Sequence, residues 1–128
     1  LFLGYLPENE LCRAFETSVV FLFPSRMEGF GMAPAEAMAC GTPAIVSDRG
    51  ALPEVVRNGE TGYVLPIDQG PEPWLHAMAR LCDDYSLRAR LAAAALVDVR
   101  ERFSWDRAGR ETEAAFLRVI AAHRRRVG

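Results

Sequence analysis

Short apolar runs alternate with helix-patterned segments along residues 1–66. Four runs predict strands: Leu1–Tyr5, Val19–Phe23, Ala44–Ser47 and Gly62–Pro66. The wholly apolar run Val19–Phe23 suits a parallel strand covered on both faces. Between them, helical patterns cover Glu8–Thr17, a segment beginning near Pro34 and closed by Gly41, and Leu52–Arg57. Brief connections between alternating strands and helices predict an α/β fold, a Rossmann-like parallel sheet with flanking helices.

Residues 67–128 are patterned as helices throughout, with three apolar stripes. The stripes are Trp74, Leu75, Met78, Leu81 and Cys82; Leu87, Leu91, Ala95 and Val99; and Trp105, Ala108, Thr112, Ala115, Phe116, Val119 and Ile120. Ser104 is predicted to cap the third helix. We expect these helices to pack back on the sheet or across to another domain. Because the first predicted strand has no lead-in, we also expect residues 1–128 to be one partial domain of a longer protein.

Composition limits the class of protein. The 128 residues are 50% hydrophobic and 25% charged, with a net charge of -2. That is enough for one core, and it excludes a disordered chain. No apolar run approaches the roughly 20 residues of a membrane span. Acidic residues outnumber basic ones, which disfavours binding to nucleic acid.

Cysteine and histidine residues give no sign of a metal site or a disulfide framework. Cys12, Cys40 and Cys82 lie 28 and 42 positions apart, which fits neither pattern. They are predicted to be small buried apolar side chains in a reducing, cytoplasmic compartment. His76 and His123 have no second ligand at a suitable spacing, so no metal is expected.

The most informative stretch is PSRMEGFGMAPAEAMACGTP, residues 24–43. It follows a predicted strand and enters a helix, where open α/β sheets bind ligands. Gly29 and Gly31 allow close approach of the backbone, and amides at the helix start can bind an anion. Glu36, placed in the first turn, is within reach of a diol beside that anion.

Structural explanations exist for each of these side chains. Glu36 can be an acid favoured by the helix dipole, Glu28 a solvated loop acid and Phe30 an anchor to the core. The dinucleotide fingerprint is absent, and the phosphate loop is excluded because the chain has no Lys. The spacing alone predicts an anion or sugar site at a strand-to-helix turn.

The same stretch resembles the donor-site signature of the family-4 retaining glycosyltransferases with the GT-B fold. In that family two glutamates separated by seven residues flank a Gly-Phe-Gly turn, here Glu28 and Glu36. The similarity continues in LGYLPENEL (3–11), EAMACGTPAIVSDRGALPEVV (36–56), NGETGYVLP (58–66) and FSW (103–105). It covers nearly the whole chain and implies the C-terminal, donor-binding domain.

The resemblance implies a role for each motif residue. Glu28, as the catalytic residue, would approach the donor sugar, beside the amides of Phe30 and Gly31. The Gly31 and Met32 amides would face the diphosphate, and Glu36 would take the two ribose hydroxyls. Gly29 and Phe30 also count among the expected substrate-binding residues. A weaker correspondence places the base against the main chain at Leu6. Glu54 matches a recurrent family position, where a capping role is equally compatible.

The implied activity is retaining transfer of a sugar from a nucleotide-diphosphate donor to an unknown acceptor, with no metal or other cofactor. The family's basic Arg and Lys pair and its acceptor-binding N-terminal domain lie outside this sequence; Arg26 and Arg49 are partial substitutes at most. We therefore expect the isolated chain to be inactive. A non-catalytic sugar-nucleotide-binding or interaction module stays open as the alternative. For the whole protein, peripheral association with the inner membrane face also stays open, since Arg124–Arg126 could meet acidic lipid but make a weak anchor.

Overall fold

A computed structural model describes residues 1–127 as a three-stranded parallel sheet flanked by helices on both faces. In chain order the elements are α1 (Glu8–Glu16), β1 (Phe21–Phe23), α2 (Met32–Ala39), β2 (Ala44–Ser47), α3 (Leu52–Val55), β3 (Gly62–Leu65), α4 (Glu72–Asp83), α5 (Tyr85–Arg102) and α6 (Trp105–Val127), with a single 3-10 turn at Ile67–Gln69. The predicted α/β fold and its helical C-terminal end are confirmed.

Strand β2 is the centre of the molecule, paired with β1 on one side and β3 on the other. All four of its residues are buried. Ala44 and Val46 face one apolar cluster, built with α2, α3 and α5. Ile45 faces the other, built with α4 and α5. Burial on both faces explains why this segment is a continuous apolar run.

The prediction of a strand at Leu1–Tyr5 is wrong. This segment is irregular, and Leu1 and Phe2 are fully exposed. A strand needs a neighbour for its backbone groups, and the described residues offer this segment none. The strand predicted for Val19–Phe23 is shorter, Phe21–Phe23, and it is only partly covered, with Leu22 exposed. Strand β1 is therefore a partly exposed edge strand, whereas the sequence predicted a buried one.

Helix α2 begins earlier than the position of Pro34 predicts. Its N-cap is Gly31 and its first residue is Met32, so Pro34 stands third. Glu36 consequently lies in the second turn rather than the first. The predicted C-terminal cap is confirmed: Gly41 has φ +80° and donates to the Met38 carbonyl at 3.0 Å, while Thr42 donates to that of Ala37 at 2.9 Å.

The C-terminal helices differ in how much of their apolar surface is covered. The α5 stripe is confirmed, with Leu91, Ala95 and Val99 buried. Asp84 caps this helix by accepting from the Leu87 amide, a bond that lowers the pKa of its carboxyl. The stripe on α6 exists but has no partner in the described part of the chain; its exposed members include Trp105, Phe116, Val119 and Ile120. None of the described helices combines the length and apolar character that a membrane crossing requires.

Candidate functional site

The loop between β1 and α2, residues 24–31 (the β1–α2 loop), leaves the carboxyl end of the sheet. Ser47, the last residue of β2, donates from its hydroxyl to the Ser25 carbonyl. The Ser25 hydroxyl in turn donates to the Met27 carbonyl at 2.8 Å. These bonds fasten the start of the loop to the sheet, so the glycine-rich turn that follows begins from a fixed position.

Glu28 is half-buried and folds back over its own turn. Its carboxylate oxygen Oε1 accepts from the Gly29 amide at 3.0 Å and, at the longer distance of 3.5 Å, from the Phe30 amide. Two successive amides therefore converge on one negatively charged oxygen. Backbone donors arranged in this way favour an anion, and here the carboxylate of Glu28 occupies the position.

The N-terminus of α2 offers further amides. Gly31 has φ +97°, and a Cβ on it would lie 3.0 Å from Leu52 Cδ2, so a left-handed glycine lets the chain turn into the helix against α3. The Ala35 amide bonds to the Gly31 carbonyl at 3.2 Å, and Pro34 has no amide hydrogen. Outside the bonds within the helix itself, no backbone bond in the described range engages the amides of Gly31, Met32 or Ala33. Such unpaired amides, with the helix dipole behind them, attract an anion.

Glu36 is exposed on α2 and stands between two grooves of about 430 Å³ each. The first, which we call the Leu6 groove, is lined by the chain around Leu6 and by α1 and the end of α2. The second is lined by Phe30, Met32 and residues of α5 and α6. The structure thus brings Leu6 and Glu36 to one groove although 30 positions separate them in the sequence.

The two arginines considered as partial substitutes for a basic pair share one acidic partner. Arg26 Nη1 lies 3.5 Å from Asp68 Oδ1, and Arg49 pairs with both Asp68 and Asp48. Their charges are partly neutralised where they stand. Glu54 is exposed in the first turn of α3, and its backbone carbonyl accepts a hydrogen bond from Arg102.

Gly50 holds Glu28 in place, which the motif analysis did not anticipate. It has φ +56°, and a Cβ on it would lie 2.1 Å from the Glu28 carbonyl oxygen. The same oxygen accepts from the Ala51 amide at 3.4 Å. In the sequence, the glycine after Asp48-Arg49 indicates a turn. This signal does not indicate that the glycine contacts Glu28.

A second support reaches Phe30 from the end of α5. The rings of Phe30 and Phe103 meet edge to face with centroids 5.4 Å apart, and the Arg102 guanidinium lies 4.7 Å from the Phe103 centroid. Arg102 is held by Asp98, at 2.7 Å, and Asp98 also pairs with Arg57 at 3.0 Å. Phe30 itself is exposed, so its contact with Phe103 supports the β1–α2 loop from the surface and does not anchor it in the core.

Replacing Phe103 by Ala is expected to loosen this loop. The change removes an aromatic contact and part of the apolar cover, so the free energy of unfolding should fall by about 2–3 kcal/mol. Denaturant unfolding gives this value, and hydrogen exchange at the Gly29 and Phe30 amides should accelerate. Phe116→Ala is the matched control, since Phe116 is 65% exposed and should cost less than about 0.5 kcal/mol. Equal losses in the two variants would contradict the support assigned to Phe103.

Within residues 1–127, no three Cys, His, Asp or Glu side chains come together as metal ligands would. The cysteines are not all buried as predicted: Cys82 is exposed, whereas Cys12 and Cys40 are half-buried and in contact with each other. Desolvation and the neighbouring Cys12 raise the pKa of the Cys40 thiol to about 12.

Known proteins share this architecture. Sucrose-phosphate synthase from Thermosynechococcus elongatus superposes with a TM-score of 0.85 at 30% identity, over 95% of this chain and 30% of that one. The C-terminal domain of a glycosyl transferase group 1 family protein from Francisella tularensis gives a TM-score of 0.72 at 26% identity, over 81% of this chain and 53% of that one. HepE from Anabaena, solved in complex with UDP-glucose, gives 0.78 at 22% identity, over 90% of this chain and 31% of that one, a similarity of fold alone.

Sequence relatives agree with the structural ones. A D-inositol 3-phosphate glycosyltransferase from Streptomyces bingchenggensis is 35% identical over 118 residues, which are 92% of this chain but 26% of that protein. The chain thus spans about a quarter of the length of such relatives. The family model for glycosyl transferases group 1 matches residues 1–97. On this evidence the chain belongs to the group 1 glycosyl transferases.

Proposed function

We propose that this chain forms the donor-binding part of a retaining, family-4 glycosyltransferase that uses a nucleotide-diphosphate sugar. The observation that carries the proposal is the arrangement around Gly31. The amides of Gly31 and Met32 stand unpaired where α2 begins, with Glu28 before this turn and Glu36 on the helix after it. A donor of this class has a sugar, a diphosphate and a ribose in that same order.

The diphosphate is assigned to the start of α2. When the bond from the anomeric carbon to the phosphate breaks, negative charge develops on the leaving diphosphate and positive charge on the sugar. Fixed amides and a helix dipole stabilise the leaving group without reorganisation. We assign the Gly31 and Met32 amides as the groups that donate hydrogen bonds to the diphosphate. This stabilisation requires no metal ion. The departing phosphate then guides the acceptor to the face it leaves, which retains configuration.

Glu28 is assigned to the sugar. Its carboxylate now accepts from the amides of Gly29 and Phe30, so donor binding must turn it toward the sugar hydroxyls. The released amides remain beside the sugar and its phosphate. Glu28 positions the donor in this account and forms no covalent bond. Paired-carboxylate hydrolysis, which needs two acids flanking one glycosidic bond, is not proposed, because Glu28 and Glu36 would hold different parts of one donor.

The nucleoside is assigned to the Leu6 groove. Glu36 would accept from both ribose hydroxyls, and the main chain at Leu6 would hold the base, since both residues line this groove. HepE was solved with UDP-glucose, so UDP and UDP-glucose are the first ligands to test.

The remaining parts of the enzyme are assigned to other segments of the same protein. Arg26 and Arg49 are engaged with Asp68, so a basic pair for the diphosphate is expected from elsewhere. An N-terminal acceptor domain would cover the exposed face of α6 and the apolar Leu1–Leu3 segment. We propose a cytoplasmic enzyme, and peripheral membrane association remains a secondary proposal. The isolated chain should show no turnover, and measurable transfer by it would contradict this part.

Discrimination of the ribose hydroxyls tests the proposed site. Calorimetry on the complete protein should show that a nucleoside diphosphate binds about tenfold or more tightly than its 2′-deoxy analogue, because the lost hydroxyl leaves Glu36 a charged acceptor without its donor. In Glu36→Ala both ligands should bind weakly and about equally. Glu113→Ala, which removes an exposed glutamate on α6, is the control with the same change in charge. If Glu36→Ala kept the discrimination, the nucleoside could not lie against Glu36.

A further inference from the structure

Two cysteines that are far apart in the sequence meet in the fold. Cys12 lies in α1 and Cys40 is the C-cap of α2, 28 positions later. Their Sγ atoms are 2.8 Å apart. A disulfide has a sulfur–sulfur distance of about 2.05 Å, so closing the bond requires a movement of less than about 1 Å.

The surroundings favour a thiol pair over a metal site. In the described residues no group of three Cys, His, Asp or Glu side chains is arranged to hold a metal ion, here or elsewhere. The Cys12 thiol also donates to Glu16 Oε1 at 3.7 Å, so a carboxylate is near to receive its proton. Both cysteines are half-buried, and both line the Leu6 groove, which admits a small reagent.

We propose that Cys12 and Cys40 form a reversible intramolecular disulfide when the chain meets an oxidised low-molecular-weight disulfide. The Cys12 sulfur attacks one sulfur of the reagent, breaking its S–S bond and releasing one thiol. The Cys40 sulfur then attacks Cys12, forming the internal bond and releasing the second thiol. Two protein thiols are oxidised and one reagent disulfide is reduced to two thiols, with both protein protons transferred to the leaving sulfurs through solvent.

The order of the two steps follows from the environment of Cys40. Burial, a hydrogen bond with Cys12 and repulsion from Cys12, Glu16 and Glu36 raise the pKa of its thiol to about 12, so Cys40 is protonated at neutral pH and reacts second. Once Cys12 carries the reagent, its hydrogen bond and its charge no longer raise the pKa of the Cys40 thiol, whereas burial still does. The proximity of the two sulfurs, 2.8 Å apart before the reaction, then favours closure.

The product would join α1 to the end of α2 along one wall of the Leu6 groove. In a reducing compartment such a bond is transient, which is characteristic of redox-responsive pairs. The inference does not depend on donor binding, because it rests only on the contact between the two sulfurs.

The test uses the Cys82→Ala chain, which removes the exposed thiol and with it any external adduct there. Treatment with oxidised glutathione should lower the intact mass by about 2 Da, the two hydrogens lost, and should abolish alkylation at both remaining cysteines. Dithiothreitol should reverse the change. Closing a loop of this length should raise Tm by roughly 10 °C.

Further variants separate geometry from chance. In Cys82→Ala combined with Cys12→Ser or Cys40→Ser, the 2 Da loss should not occur, and far-UV circular dichroism checks that the chain is folded. The native Cys82→Ala chain should close the bond at least about tenfold faster than the same chain in denaturant, because the fold holds the sulfurs together. A stable glutathione adduct without closure, or equal rates in both conditions, would overturn the proposal.

Discussion

Replacing Glu28 by Ala in the complete protein is expected, on the proposed function, to lower kcat by about 10²–10³-fold, the usual loss when a group that positions the reacting sugar is removed. The substitution removes the carboxylate that is to meet the sugar hydroxyls at the developing positive charge. Nucleotide affinity should change much less, because the diphosphate and ribose are assigned to the start of α2 and to Glu36.

Glu28→Gln separates charge from shape. Its amide oxygen can still accept from the Gly29 amide, as the carboxylate does at 3.0 Å, so the turn should keep its form. If Glu28→Gln lowers kcat nearly as much as Glu28→Ala, the negative charge of Glu28 is the cause of the loss. Steady-state kinetics with the nucleotide affinity measured in parallel decides the matter. If the protein is instead a non-catalytic binding module, Glu28→Ala should only weaken ligand binding, because there is no turnover to lose. An unchanged kcat in Glu28→Ala would refute the role assigned to Glu28.

Gly50→Ala is expected to lower the free energy of unfolding by about 3 kcal/mol or more, because a clash is added to backbone strain. The new Cβ on residue 50 would lie 2.1 Å from the Glu28 carbonyl oxygen, and Gly50 itself has φ +56°. Relief requires the turn at residues 48–51 to move away from the β1–α2 loop. Denaturant unfolding of the chain measures the loss.

Gly59→Ala is the matched control for Gly50→Ala. Gly59 also has positive φ, at +78°, but nothing lies within 4 Å of a Cβ added there. Its cost should be about 1 kcal/mol, the backbone term alone. The difference between the two variants therefore reports the contact with Glu28. If both variants lost the same stability, Gly50 would have no role in holding Glu28.

The fold was predictable wherever local pattern and tertiary environment agree. Strand β2 is apolar because both of its faces are covered, so its sequence alone indicates a buried parallel strand. The same rule failed at Leu1–Tyr5, where an apolar run has no neighbouring strand in the described residues. Apolar character reports that a segment is to be buried, but it does not report what will cover it.

The site was predictable as a motif and less so as a geometry. The pattern around Gly29 and Gly31 located the turn, yet the start of α2 depends on the left-handed Gly31 more than on Pro34. The contacts of Gly50 with Glu28 and of Cys12 with Cys40 join segments distant in sequence. No local periodicity contains such information, since these contacts arise only when the fold brings the segments together.

A crystal structure of the complete protein with UDP-glucose would show whether the turn into α2 binds the donor's diphosphate. We expect phosphate oxygens within hydrogen-bond distance of the Gly31 and Met32 amides, about 2.7–3.2 Å. The ribose should lie against Glu36, with the Glu28 carboxylate turned from the Gly29 amide toward the sugar. A diphosphate bound elsewhere, with Glu28 still folded onto its own loop, would refute the proposed site.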